Sequence, residues 1–272
     1  MTASGALDAV AYSTELADAL ARPGADAMRV GEDFFALSDL VKTDARLRRA
    51  LTDPSRSAED KAGLVRELFG AKMCAPALGV VETMVGGHWS KSGALHDAAE
   101  VLGILAVLTD AKRAGVLDSV NDELFEVRRF LAANRELRLR LSDTATGTPH
   151  ERANLASALF GPHLSVWTMR LVRRAVGRSR HGRLLVNLRR FAEWAATMQN
   201  RLLVTVETAA DMSAEQSARL RSLLEARFGE EISLSTSVEA DVVGGFRLRA
   251  GTTAIDASLA TRIADMKRAL AG

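Results

Sequence analysis

The chain of 272 residues is long enough for two domains, or for one large helical domain with a small appendage. Apolar residues make up 47% and charged residues 26%, which is ordinary globular usage and argues against a disordered or fibrous protein. The net charge of +2 is small, so bulk electrostatics identifies no class of partner.

Targeting signals are absent from the sequence pattern. The longest apolar runs, such as residues 103–108, are far shorter than the ~18 to 20 residues that cross a bilayer. The first residues lack a basic start followed by an apolar stretch, and the lone Cys74 cannot build an internal disulfide framework. We therefore expect a cytoplasmic protein without a direct membrane span.

Up to about residue 200 the periodicity predicts amphipathic helices. Apolar residues recur at three- and four-residue spacing, as in Leu124, Val127 and Leu131. All five prolines fall at breaks between such runs, where a missing backbone N–H costs least: Pro23, Pro54, Pro76, Pro149 and Pro162.

The helical part contains an internal duplication. The pattern of Phe35, Leu47-Arg48 and Leu51-Thr52-Asp53 recurs 90 residues later as Phe125, Leu137-Arg138 and Leu141-Ser142-Asp143. After a one-residue slip, Leu68-Phe69-Gly70 recurs as Leu159-Phe160-Gly161. The predicted units span 30–111 and 117–200, with some five helices each. Because equivalent helix ends should be equivalent in packing, we expect Leu68, Phe69, Leu159 and Phe160 to be buried.

After Asn200 the helical period gives way to the two-residue period of a strand, and the sequence predicts a small α/β domain. Residues 203–208 alternate as a strand, and a helix over Ser213–Phe228 is predicted from the Ser213 N-cap and a closing Gly229. A second strand is predicted over 232–238, and a hairpin over 245–248 and 253–255. A last helix is predicted over 257–270. The expected class is α+β, mostly α, with a helical bundle domain over 1–200 and a small α/β domain over 201–272.

No catalytic pattern emerges. The five histidines share no metal-ligand spacing with carboxylates or with the cysteine, and no nucleophile elbow is present. Gly244-Gly245 precedes a strand rather than a helix, so it is better interpreted as a turn or bulge than as a phosphate loop. We expect no enzyme activity, metal or cofactor.

One stretch is strongly basic. Nine arginines lie between Arg170 and Arg201, against the single acid Glu193. A nucleic-acid site is one interpretation, since a basic helix face can release counterions from phosphates. The interleaved apolar residues favour instead an amphipathic helix whose arginine-bearing face is solvated or docks on an acidic protein.

The C-terminal segment resembles the δ subunit of F-type ATP synthases, the oligomycin-sensitivity-conferring protein family. The family's signature is filled by these residues: Ile232, Leu234, Val238, Glu239, Val242, Gly244, Gly245, Phe246, Leu248, Arg249 and Gly251. Ile255-Asp256 with Ser258 is similar to its closing motif, and Gly182-Arg183-Leu184 is similar to a motif of its helical part.

The sequence also departs from the family pattern. Glu239-Ala240 stands where Asp-Pro is common, and the opening around Tyr12 lacks the family's usual aromatic. Usual members are shorter by about one helical unit, so the duplication accounts for the excess length, and long δ chains of this kind are similar to those of actinobacteria.

The resemblance implies a mechanical role without an active site. It implies a stator subunit whose helical domain binds the α subunits of the α3β3 head and whose C-terminal domain binds the b subunit of the peripheral stalk, at the cytoplasmic face of the plasma membrane. Fragment 1–200 would then bind the head and fragment 201–272 would bind b. The alternative is a helical protein–protein adaptor unrelated to ATP synthase, with nucleic-acid binding as a third interpretation.

Overall fold

The computed structural model describes residues 10–91, 93–143, 147–178, 183–199, 201–239, 242, 245–250 and 253–256. It is mostly α-helical with one small sheet, which confirms the expected fold class. The chain divides into two compact units, Met1–Val116 and Leu117–Gly272. The boundary between these units falls between the two predicted copies, while the predicted domains meet at residue 200.

The first unit is a bundle of helices. Its described helices are α1 (Ser13–Ala21), α2 (Ala27–Thr43), α3 (Ala45–Thr52), α4 (Ala58–Phe69), α5 (Ala75–Gly86) and α6 (Ala94–Arg113). Side-chain caps begin several of them, because the first backbone N–H groups of a helix have no partner inside it. Asp44 accepts hydrogen bonds from the N–H groups of Arg46 and Leu47, and Ser57 accepts one from that of Asp60.

The second unit opens with five further helices and a short 3-10 turn at Gly161–His163. The helices are α7 (Leu117–Ala133), α8 (Arg135–Ser142), α9 (Pro149–Phe160), α10 (Val166–Arg178) and α11 (Leu184–Thr197). Thr148 and Glu151 form a capping box at α9, and Pro149 occupies its first turn, where a proline costs little.

The helices α2–α6 and α7–α11 form two sets with the same order. The first members have 17 residues each, the second 8 each and the third 12 each. In each set the first helix packs against the fifth, and the third packs against the fourth. One difference between the sets is that α1 lies against α5 and α6 in the first, whereas α10 and α11 pack on each other in the second.

Side-chain contacts repeat between the sets as well. Arg48 donates to the carbonyls of Val41 and Lys42 at the end of α2, and Arg138 donates in the same way to those of Leu131 and Ala132 at the end of α7. These hydrogen bonds close the corner between the first and second helices of each set.

A carboxylate cap on the fourth helix also repeats. The Asp33 carboxylate accepts from the backbone N–H of Cys74, and the Glu123 carboxylate accepts from that of Ser165. These shared contacts support the duplication at the level of individual atoms.

The predicted burial of the repeated Leu-Phe pairs is half wrong. Phe69 and Phe160 are buried at 8% exposure each, as predicted, but Leu68 and Leu159 are exposed at 41% each. Neighbouring residues on a helix point about 100° apart, so one apolar core cannot receive both side chains. The matched values show that the pairs are equivalent in both sets, although their leucines face outward.

The sheet of the second unit has four strands in the order β2-β1-β3-β4. The strands are β1 (Arg201–Thr208), β2 (Glu231–Val238), β3 (Phe246–Ala250) and β4 (Thr253–Asp256). β1 and β2 are parallel, and the other two pairings are antiparallel. Helix α12 (Ala214–Phe228) connects the parallel pair, as a parallel crossover requires.

The elements after residue 200 follow the sequence prediction. Ser213 and Gln216 form a capping box at the start of α12, and Gly229 ends it at φ 72°, in the left-handed region that glycine tolerates. β3 and β4 pair as the predicted hairpin. The helix predicted over 257–270 lies outside the described residues.

Candidate partner-binding surfaces

Four of the eleven signature residues build the core of the small domain or pack against it. Ile232 on β2 and Leu248 on β3 are buried together with residues of β1 and α12, and Leu234 and Phe246 pack against that core. Val242 is also buried. A sequence signature made of such residues identifies the fold of the domain rather than a reactive site.

The remaining signature residues have backbone or surface roles. Gly245 adopts φ 75°, which supports the interpretation of Gly244-Gly245 as backbone geometry rather than a phosphate loop. The N–H of Glu239 donates to the carbonyl of Thr208. Val238 and Arg249 lie on the surface, and Gly244 and Gly251 are outside the described residues.

An open cavity of about 420 Å³ lies beside this core, at the end of β1 and the start of α12. Its lining is predominantly apolar, with Met212, Leu220 and Phe246 contributing large side chains. Among the described residues, the lining is Val206, Thr208, Ala209, Ala210, Asp211, Met212, Gln216, Leu220, Gly245 and Phe246. A cavity of this kind is suited to an apolar side chain of a partner helix.

Helix α12 adds an exposed apolar side chain to the same domain. Leu223 is 61% exposed and lies one turn after Leu220, which lines the cavity. Val238 at the end of β2 is exposed as well. Large apolar residues outside a core are characteristic of binding surfaces when they lie close to one another.

The helical sets carry their own exposed apolar residues at matched positions. Leu40 and Phe130 are exposed near the ends of α2 and α7, and Leu68 and Leu159 are exposed on α4 and α9. In the second set the ring of Phe130 lies edge-on to that of Phe160, with centroids 5.9 Å apart. Each set thus has exposed apolar residues, of which the sequence analysis assigned Leu68 and Leu159 to the core.

The arginine-rich stretch is less uniform than its composition indicates. Arg189 pairs with Glu193, Arg190 lies over the ring of Trp194, and Arg201 contacts two carboxylates. These side chains have partners inside the protein, so the stretch is not one continuous solvated face.

Three arginines on α10 form the remaining cluster, which we call the α10 arginine cluster: Arg170, Arg173 and Arg174. Their side chains are half-buried, which corrects the expectation that this face of the helix is solvated. Burial, together with the charges of Arg173 and Arg174, lowers the pKa of Arg170 to about 10. The Arg178 side chain lies outside the described part of the chain.

The equivalent surface of the first set has the opposite polarity. There Arg66 on α4 pairs with Glu82 on α5 at 3.1 Å, whereas in the second set Ser157 on α9 accepts a hydrogen bond from Arg173 on α10 at 2.5 Å. Glu82 on the fourth helix of the first set corresponds to Arg173 in the second set, and Arg66 on the third helix corresponds to Ser157. Sequence reasoning missed this exchange because it depends on knowing which helices touch.

Within the ranges given above, no group of histidine, cysteine, aspartate and glutamate side chains could hold a metal ion. Over the same residues, no helix is both long enough and apolar enough to span a membrane.

Comparisons with known proteins agree with this architecture. Residues 105–270 match the family model of the ATP synthase delta (OSCP) subunit, so the match begins inside α6 and includes the whole second helical set. The ATP synthase subunit delta of Streptomyces avermitilis is 38% identical over 100% of both chains, and that of Kineococcus radiotolerans is 37% identical over 99% of this chain and 100% of its own. The protein of the same name from Streptomyces coelicolor is 35% identical over 97% of this chain and 96% of its own. With this coverage and identity, the chain belongs to the ATP synthase delta (OSCP) subunit family.

Proposed function

We propose that this subunit of the F-type ATP synthase is a non-catalytic stator protein that links the α3β3 head to the peripheral b stalk and resists rotary torque. The observation that carries this proposal is the presence of separate apolar binding surfaces on the helical set and on the small domain of one compact unit. A tether needs two attachment sites, and the described residues of neither surface contain a group of side chains that could hold a metal ion.

The helical part, residues 1–200, is proposed to bind the α subunits of the head, in contact also with β. Its exposed Phe130 and Leu159 can pack against an amphipathic partner helix, and the α10 arginine cluster can pair with acids on that partner. The second helical set is the better candidate for this contact, because the family match includes all of it and begins only at the end of the first unit. The first set would then be an additional module.

The small domain, residues 201–272, is proposed to bind the b subunit. Its cavity and the exposed Leu223 provide the apolar surface for one face of a stalk helix. As part of the synthase, the protein would lie at the cytoplasmic face of the plasma membrane, held there by its partners.

Site-specific photo-crosslinking on the full chain tests both assignments. A photoreactive phenylalanine analogue placed at Leu223 should crosslink to b, and the same analogue placed at Leu159 should crosslink to α. Both side chains are exposed, so the substitutions leave the core unchanged. Crosslinks from Leu223 to α or β alone would overturn the division of roles, and failure of the full chain to co-purify with head and stalk subunits would favour an unrelated adaptor.

A further inference from the structure

The outer face of α4, in the first helical set, combines leucines with exposed acids. Leu64 and Leu68 lie four residues apart, so they follow each other along one edge of the helix. Leu68 is 41% exposed and Leu64 is half-buried. Asp60 and Glu67 are both exposed, and at about 100° per residue their side chains project within about 20° of each other. We call this surface the α4 face: Glu59, Asp60, Gly63, Leu64, Glu67 and Leu68.

The charge of this surface is negative. Arg66 borders the α4 face, and it is held by two acids: its Nη1 lies 3.3 Å from Glu59 Oε1 and its Nε lies 3.1 Å from Glu82 Oε1 on α5. The α4 face together with Glu82 carries four carboxylates against that one guanidinium. Lys72, the next cation along the chain, follows the end of α4.

The centre of the α4 face leaves room for a close approach. A Cβ built at Gly63 would meet nothing within 4 Å, so no side chain of the first unit fills the space above this residue. Gly63 lies one turn before Glu67, and Leu64 lies one turn before Leu68. The backbone of a second helix can therefore come near α4 beside the leucine edge.

The second helical set keeps the leucines of this face and changes its charge. Leu159 on α9 has the same 41% exposure as Leu68. At the centre of the face Ala158 stands where the first set has Glu67, and the neighbouring helix carries the α10 arginine cluster. Equivalent leucines in surroundings of different charge indicate surfaces that select different partners, because like charges brought together disfavour the wrong one.

We propose that the α4 face docks an amphipathic helix of a partner protein that carries lysine or arginine beside its apolar residues. The apolar side chains of that helix pack on Leu64 and Leu68, and its cations lie against Asp60 and Glu67. Charge complementarity makes the surface selective for a basic segment over an acidic one. This docking is a property of the first unit alone, so it goes beyond the proposed function and does not depend on it.

A second copy of the chain is the competing occupant, because its α9 and α10 offer an exposed leucine beside arginines. A contact between the α4 face of one copy and those helices of another is heterologous, and it produces rings or growing assemblies. Sedimentation of the chain alone, at the concentration used for binding, distinguishes the two occupants. We expect a monomer.

Two synthetic helical peptides test the docking on the full, isolated chain. Both have the same leucine face, which is flanked by lysines in one peptide and by glutamates in the other. Fluorescence anisotropy at low salt should show about tenfold tighter binding of the lysine peptide, and this difference should shrink as salt screens the exposed charges. Hydrogen exchange should show that the lysine peptide adds protection to the amides of α4 rather than to those of α9.

Variants of two residues on the α4 face locate the contact. Glu67→Lys should weaken binding of the lysine peptide about tenfold, because it replaces an attraction by a repulsion, and Leu68→Ser should weaken it by removing an apolar anchor. Val186→Ser is the control, since it removes an exposed apolar side chain from α11 in the other unit and should leave the affinity unchanged. All three positions are exposed, so the amides of α2 and α6 should keep their protection.

Several results would overturn the proposal. Equal affinity for the two peptides would remove the selectivity for charge, and added protection on α9 in place of α4 would move the contact to the other set. Equal losses from Leu68→Ser and Val186→Ser would show unspecific adsorption. Self-association of the chain without peptide would assign the α4 face to a second copy. None of these measurements involves head or stalk subunits, so they leave the proposed function to its own test.

Discussion

Gly103 on α6 is the position where a single methyl group should most disturb the first helical set. A Cβ built there would lie 2.6 Å from both Cδ1 and Cε1 of Phe35 on α2. Phe35 is buried at 2% exposure, so its ring cannot turn away into solvent. Gly103→Ala therefore forces the two helices apart or drives the ring out of its rotamer.

Two opposing effects set the change in the free energy of unfolding that Gly103→Ala should cause. Overpacking a filled core costs about 1 to 3 kcal/mol. Replacing glycine by alanine inside a helix is favourable by about 0.8 to 1 kcal/mol, since alanine loses less backbone entropy on folding. A contact as short as 2.6 Å lies well inside van der Waals distance, so we expect the upper part of the first range and a net loss of about 1 to 2 kcal/mol.

Hydrogen exchange measured by mass spectrometry resolves this loss by region. Amides of α2 and α6 should lose protection about tenfold per 1.4 kcal/mol, while those of α9 and α10 remain unchanged because they belong to the other compact unit. Regional readout is needed since a chain with two compact units need not unfold in one step.

Gly63→Ala is the matched control. Gly63 lies inside α4, and a Cβ there would meet nothing within 4 Å, so the same substitution should increase protection in α4. If Gly103→Ala stabilised the first unit as Gly63→Ala does, the close approach of α2 and α6 would be refuted.

Two further predictions concern charge. Arg173→Glu with Arg174→Glu should lower the free energy of unfolding by about 1 to 2 kcal/mol, because both side chains are half-buried and Arg173 donates a hydrogen bond to Ser157. The same change should weaken binding to an acidic partner in a salt-dependent way, and complete loss of folding would place the two arginines in essential buried pairs instead. At Asp44 the backbone N–H groups of Leu47 and Arg46 hold the carboxyl pKa below its usual value, so its stabilising effect is present above the unfolded-state pKa and is lost as pH falls through the lower folded-state pKa. Asp44→Asn should therefore lower the melting temperature near neutral pH and make no difference in strong acid, and a deficit that stayed constant with pH would contradict this account.

The order of elements could be predicted from the sequence because it depends on local patterns. The strand period after Asn200, the Ser213 cap and the closing Gly229 are all short-range signals, and each corresponds to an observed element. The duplication was predicted because positions such as Leu51 and Leu141 carry the same residue at a constant offset, and both of these leucines are buried.

The surfaces could not be predicted in this way. Leu68 and Leu159 have the composition of core residues, and only the packing of α4 and α9 shows that they face outward. The three α10 arginines were expected to be solvated, but their burial depends on tertiary neighbours that periodicity does not reveal. Asn121 on α7 donates a hydrogen bond from Nδ2 to Ser233 Oγ on β2, and these residues are 112 positions apart, which is beyond any local pattern.

The hydrogen bonds of Arg48 and Arg138 at the helix corners bear on how the protein folds as well as on its stability. Arg48 and Arg138 each contact carbonyls only six or seven residues earlier in the chain, and a single residue, Asp44 or Asn134, separates the two helices at each corner. Contacts so close in sequence require little loop-closure entropy and can form before the bundle assembles. We expect each helical set to have its own early-forming nucleus, so that two parts of one polypeptide begin folding independently during synthesis.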